Sequence, residues 1–173
     1  MKKANMLRGV VPAIVTPMDK CGEIDFSLLA QQAEYLVGGG VNGLFVCGGT
    51  GEGAYLTTEE KAAVFKKLKS LEAVKRGGVF LCLAIINPDT RRVIAEAKAL
   101  APLEPDYFVA TAPFYYAMNQ NCIIEHYTAV ANAASAPVIV YNIPSCTHNY
   151  IELPAIRALS ELPNIAGVQE GLL

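Results

Sequence analysis

Apolar residues in this chain fall into short, nearly continuous runs that alternate with longer segments in which they recur every three to four positions. The short runs are Val10–Thr16, Leu44–Cys47, Val79–Ile86, Tyr107–Thr111, Val138–Tyr141 and Ile165–Val168, rich in β-branched and aromatic residues, and they predict strands. Between them, Phe26–Val37, Thr58–Leu71, Asp89–Leu100, Asn121–Ala134 and Ile151–Leu162 carry the helical period. Strand starts recur at intervals of about 30 residues, the size of one βα unit. Thr57 and Glu60 spell a capping box ahead of the second helix, and Asp89 after Pro88 marks the start of the third. No linker, low-complexity tract or composition break interrupts the alternation, so residues 1–173 read as a single domain.

Six strands and five helices in strict alternation predict an α/β fold with a parallel sheet and helices outside it. The pattern alone fits an open doubly wound sheet or a (β/α) barrel. At 173 residues the open sheet is the default on length, because a complete barrel needs at least ~200 residues. Polar clusters follow three of the strands: Gly48-Gly-Thr-Gly-Glu52, Thr111-Ala-Pro-Phe-Tyr-Tyr116 and Tyr141-Asn-Ile-Pro144. Parallel α/β folds build their sites at strand C-termini, so these clusters are the first place to look for chemistry.

Composition narrows the functional classes. A net charge of −2 and 53% hydrophobic residues give the mass for a compact core and no basic excess to drive binding to nucleic acid or an anionic membrane. No apolar run approaches the ~18 residues needed to span a bilayer, and residues 1–8 lack a signal-peptide core, which makes the cytoplasm the expected location. Cys21, Cys47, Cys82, Cys122 and Cys146 show neither CxxC pairing nor metal-ligand spacing; Cys47 and Cys82 fall in expected strands, and Cys146 lies in a loop. Neither a metal nor a cofactor is expected.

Gly49 opens a literal GxGxxA match, the pattern of a dinucleotide loop. Two features oppose that reading. The next helix begins at the Thr57 cap and not on the glycines, and Glu52 would set a negative charge beside the pyrophosphate.

Taken together, Pro12-Ala-Ile-Val-Thr-Pro17, Gly48-Gly-Thr-Gly-Glu52, Ala112-Pro-Phe-Tyr-Tyr116, Tyr141-Asn-Ile-Pro144 and Gly167-Val-Gln-Glu170 resemble, in order and spacing, the N-acetylneuraminate lyase and dihydrodipicolinate synthase family. The resemblance covers the whole chain. It implies a parallel (β/α) barrel of TIM type, incomplete, with strands 1–6 of 8. It also implies a lyase ancestry in which a lysine on the sixth strand forms a Schiff base with pyruvate or a related 2-oxo acid. By that likeness Thr50 and neighbouring backbone N–H groups hold the keto-acid carboxylate, Tyr141 moves protons to and from the intermediates, and Tyr115 joins the relay, commonly across a subunit interface.

Several positions depart from the family's pattern. Gln169 occupies the Schiff-base lysine position, and an amide nitrogen with a delocalised lone pair is no nucleophile. Gly49 replaces the usual hydroxyl residue of the loop. Cys146 stands where the synthase branch carries an arginine for a second carboxylate, and Asn87 follows Ala84-Ile-Ile86 where many relatives turn on a glycine. No other lysine is placed to substitute: Lys61, Lys66, Lys67, Lys69, Lys75 and Lys98 lie on expected helices or their ends, read as solvated faces, and Lys2, Lys3 and Lys20 lie near the terminus or in a turn. His126 reads as structural or surface, and His148 as a loop residue near the rim of the site.

A catalytically impaired relative of the Schiff-base aldolases follows as the expected function, with a non-catalytic paralogue that binds a keto acid or a full-length homologue as the alternative. Activity through non-covalent enolisation by Tyr141 is a further possibility. Without the last two βα units, the first and sixth strands would present unpaired edges, so self-association or association with a homologue is expected.

Overall fold

The computed structural model describes residues 7–171 and contains five strands, seven α-helices and one short 3₁₀ helix. Its contacts group into two compact units, Arg8–Ala84 and, with Leu7, residues 85–171.

In the first unit, β1 (Gly43–Val46) and β2 (Phe80–Ile85) pair in parallel, with Leu44 opposite Leu81 and Val46 opposite Leu83. Both strands are buried almost throughout, as strands covered on two faces must be. Helices α1 (Phe26–Gly38), α2 (Thr58–Ser70) and α3 (Glu72–Gly77) pack against one another. Asp25 caps α1 by accepting from the amides of Ser27 and Leu28. The capping box is present: the Thr57 hydroxyl accepts from the Glu60 amide, and the Glu60 carboxylate accepts from the Thr57 amide at 2.7 Å.

The expected first strand, Val10–Thr16, is a correction. Only Ala13 forms a bridge, parallel to Phe45, carried by Phe45 N–H to Pro12 O and Ile14 N–H to Phe45 O. Pro12 has no N–H to extend the ladder backwards, and β1 ends where Cys47 turns to φ 55°.

In the second unit, β3 (Tyr107–Thr111), β4 (Val138–Asn142) and β5 (Ile165–Glu170) pair in parallel in that order. A one-residue shift between Val138 and Ile139 sets the final register of β4 against β5. Helices α4 (Thr90–Leu100) and α5 (Gln120–Ala133) pack together, α5 packs on α7 (Leu153–Ser160), and α7 covers β5. Asp89 caps α4 through the Arg92 amide and Asn119 caps α5 through the Cys122 amide. Pro154 at the first turn fixes the start of α7, two residues later than the apolar period alone would place it. The 3₁₀ turn η1 (Ala101–Leu103) and the four-residue α6 (Pro144–Thr147) carry no periodic signal in the sequence.

Candidate functional site

The registers of β3, β4 and β5 place Thr111 beside Tyr141 and Tyr141 beside Gln169. Cα partners on adjacent parallel strands send their side chains to the same face, so these three residues form one polar row near the strand C-termini. Thr111 is buried, while Tyr141 and Gln169 are half-buried. Burial pushes the Tyr141 phenol above its ordinary pKa and the Cys146 thiol adds in the same direction. The phenol therefore stays protonated at neutral pH and can donate a hydrogen bond.

One residue further on, Asn142 faces the other way and ties the strand ends together. It is fully buried. Its Oδ1 accepts from the Ile151 amide at 3.1 Å, its Nδ2 donates to the Glu170 carboxylate at 3.0 and 3.1 Å, and its carbonyl accepts from the Gly171 amide at 2.8 Å. A buried amide with its groups satisfied specifies a geometry in a way an apolar residue does not.

The loop after β3 carries Tyr115 at φ 80°, 81% exposed, with Tyr116 against it edge to face at a ring distance of 5.0 Å. A bulky residue at positive φ is strained and persists only where its surroundings hold it. Asn149 does the holding. Only 4% exposed, it donates from Nδ2 to the carbonyls of Pro113 and Tyr116, both at 2.9 Å, and accepts at Oδ1 from the Met118 amide at 2.7 Å. Beneath the loop, His126 is 2% exposed. Its Nε2 lies 3.2 Å from the Thr111 carbonyl and its Nδ1 2.9 Å from the Thr90 hydroxyl. A carbonyl only accepts, so Nε2 carries the proton and Nδ1 accepts from Thr90. Desolvation lowers the His126 pKa to about 4, against the opposing pull of the Thr111 carbonyl and Asp89. Tyr127 is fully buried and donates to the Ala110 carbonyl at 3.0 Å.

In the other unit, the loop after β1 turns tightly through Cys47 at φ 55° and Glu52 at φ 54°. Gly53 is required by close approach, since a Cβ there would run into the Cys47 carbonyl. The Thr16 hydroxyl donates to the Gly51 carbonyl at 2.7 Å and anchors the loop from below. Gly49 and Thr50 are exposed, and a Cβ at Gly49 would meet nothing within 4 Å. Helix α2 opens at Thr58, well past the glycines, so the loop does not present a helix N-terminus as a dinucleotide loop would.

The model of the dihydrodipicolinate synthetase family matches residues 6–172. The chain belongs to that family. An uncharacterised DapA-like lyase of Halobacterium salinarum is 36% identical over 164 residues, which are 95% of this chain and 53% of that protein. A 4-hydroxy-tetrahydrodipicolinate synthase of Enterococcus faecalis is 32% identical over 93% of this chain and 55% of its own length. Among solved structures, the dihydrodipicolinate synthase of Acinetobacter baumannii complexed with pyruvate superposes with a TM-score of 0.88 at 31% identity, over 94% of this chain and 55% of that one. The chain thus spans about half the length of the relatives it matches. Its fold is the corresponding part of a parallel (β/α) barrel of TIM type, an incomplete barrel as the resemblance implied.

The residues singled out in the sequence fall on both units. Tyr141 and Gln169 are in-register neighbours on one face of the second unit, and Tyr115 lies on the loop after β3 of that unit. Gly49 and Thr50 lie on the loop after β1 of the first. Cys146 and His148 are both exposed on the segment after β4. Cys47 and Cys82 are buried as expected. Lys61 is a correction. It is 1% exposed and not on a solvated face, because it shares one helical stripe with Val64, Phe65 and Leu68. Lys2 and Lys3 lie outside the described residues. Among the described residues no three His, Cys, Asp or Glu side chains stand close enough to hold a metal, and no helix is long and apolar enough to cross a membrane.

The reading by motif missed Asn142, Asn149 and Thr111. Asn142 stood inside a quoted motif with no role given to it. Asn149 also bonds Thr147 nearby, but the partners that hold the loop, Pro113, Tyr116 and Met118, lie more than thirty residues away in sequence. Thr111 reads as an ordinary β-branched strand residue until the register sets it beside Tyr141.

Proposed function

We propose that the chain is a lyase-family protein that holds a small 2-oxo acid at the C-terminal ends of β4 and β5 without forming a Schiff base to it. The observation that carries this reading is the pairing of Tyr141 with Gln169. The family resemblance puts the Schiff-base lysine at residue 169, next to the proton-moving tyrosine, and the side chain at that place here is a carboxamide. A carboxamide offers an N–H donor and a carbonyl acceptor to a keto oxygen or a bound water, but no free amine to attack a carbonyl carbon.

The remaining pieces suit binding better than turnover. In the first unit, taken by itself, Thr50 and the loop amides around it are carboxylate donors by resemblance, and Gly49 offers no hydroxyl. Cys146 in place of the synthase arginine removes the clamp for a second carboxylate, which turns the site away from dihydrodipicolinate synthesis. Pyruvate is the ligand of choice for a test, because a relative of 31% identity has been crystallised with it. Titration calorimetry with pyruvate should give reversible, roughly millimolar binding. Tyr141→Phe and Gln169→Ala should each weaken it severalfold. Binding that is absent in the unmodified protein, or indifferent to both substitutions, would remove the site from this face.

A second reading, association with its own copies or with a homologue, is favoured by β5. Its exposure alternates along its whole length, and beside it a shallow hollow of about 170 Å³ is lined by Ile156, Leu159, Ile165, Ala166 and Val168. An apolar sheet edge of this kind invites a partner. Light scattering on dilute protein should show a mass above that of one chain, and a clean single-chain mass would contradict association.

A further inference from the structure

Thr111 is 3% exposed, and its Oγ1 is one of two buried side-chain polar atoms with no hydrogen-bond partner among the described residues. The other, Gln32 Oε1, belongs to α1 in the first unit. Buried hydroxyls are almost always paired, and one that is not is costly, so each such atom asks for a reason. The backbone of Thr111 supplies none, since its carbonyl is already taken by His126 Nε2. Position supplies one. Thr111 is the in-register neighbour of Tyr141, which is the in-register neighbour of Gln169. Strands lie about 4.8 Å apart, so the three Cα atoms span roughly 10 Å, the length of a three- or four-carbon acid with a hydrogen bond at each end.

We propose that the Thr111 hydroxyl is a ligand-binding group of the 2-oxo-acid site, supplying from β3 a hydroxyl beside the Tyr141–Gln169 pair. The inference rests on the reading of the Tyr141–Gln169 face as that site. An alcohol can donate to a carboxylate or keto oxygen and accept from an enol, so its chemistry suits every oxygen such a ligand carries. The hydroxyl is covered in the free chain, and the half-buried Tyr141 side chain is its in-register neighbour. Ligand entry therefore requires a neighbouring side chain to move, and partly exposed side chains make such moves readily.

Two substitutions separate this role from a structural one. Thr111→Val keeps the shape and removes the hydroxyl, and Thr111→Ser keeps the hydroxyl. Because Oγ1 has no partner in the free chain, Thr111→Val should melt no lower than the unmodified protein, whereas pyruvate binding by calorimetry should weaken at least about fivefold, the worth of one ligand hydrogen bond. Thr111→Ser should bind within about twofold of the unmodified protein. Should the valine variant fold poorly, Thr111→Ala is read in the same way. If the unmodified protein binds pyruvate and Thr111→Val binds it equally well, the inference is wrong while the site stands. If the unmodified protein shows no binding, the site and the inference fall together.

Discussion

Strands β4 and β5 share one hydrogen-bonded ladder, yet they live in different surroundings. Val140 and Val168 are Cα partners across it; the first is fully buried and the second 40% exposed. Val140 has β3 on its other side, whereas β5 pairs with β4 alone among the described residues. Pairing sets register without setting burial. The same ladder that brings Tyr141 beside Gln169 therefore joins a fixed floor, held by Asn142, Asn149 and His126, to the more exposed strand that carries Gln169.

The largest effect should come from the fixed side. Asn149→Ala leaves the Met118 amide and the Pro113 and Tyr116 carbonyls without their partner, which should cost about 4 kcal/mol in denaturant unfolding and speed hydrogen exchange at Met118. A loss below about 1 kcal/mol would show that the loop holds itself.

Next is pH. The His126 pKa is lowered to about 4 in the folded chain against 6.5 for an ordinary histidine. Between those values the unfolded chain binds the proton and the folded one does not, so stability is full above pH 6.5 and falls as pH drops towards 4, by about 3 kcal/mol. Comparing unfolding at pH 7 and pH 4 in the unmodified protein and in His126→Gln isolates this contribution from that of the carboxylates. An equal loss in both proteins would contradict the burial argument.

The smallest pair reads the comparison itself. Val140→Ala should cost about 2 kcal/mol, and Val168→Ala under about 1. Equal costs, measured under the same conditions, would mean that β5 is covered in solution, and the cost at Val168 should then fall on dilution.

How much of this was legible in the residues follows from the range over which each feature is encoded. Tyr107–Thr111 was bounded correctly and Val138–Tyr141 fell one residue short, because buried parallel strands are compact apolar runs between turn residues. The caps at Thr57 and Asp89 were legible for the same reason, being local. Val10–Thr16 misled because its composition is that of a strand while Pro12 removes a donor that the ladder needs. Lys61 misleads because a charged side chain on a helix implies a solvated face, whereas here it shares a buried stripe with Val64, Phe65 and Leu68. Tyr115, Tyr141 and Gln169 were picked out by their motifs, but the row that adds Thr111 exists only through the register of three strands, and the Asn149 clamp only through contacts across more than thirty residues.

The central claim, that residue 169 offers an amide where Schiff-base chemistry needs an amine, is tested most directly by intact-mass spectrometry after incubation with pyruvate and borohydride, a reagent that turns any imine into a stable secondary amine. The account predicts an unchanged mass. A single reduced pyruvate adduct, mapped by peptide analysis to any lysine of the chain, would contradict it and move the reacting centre away from β5.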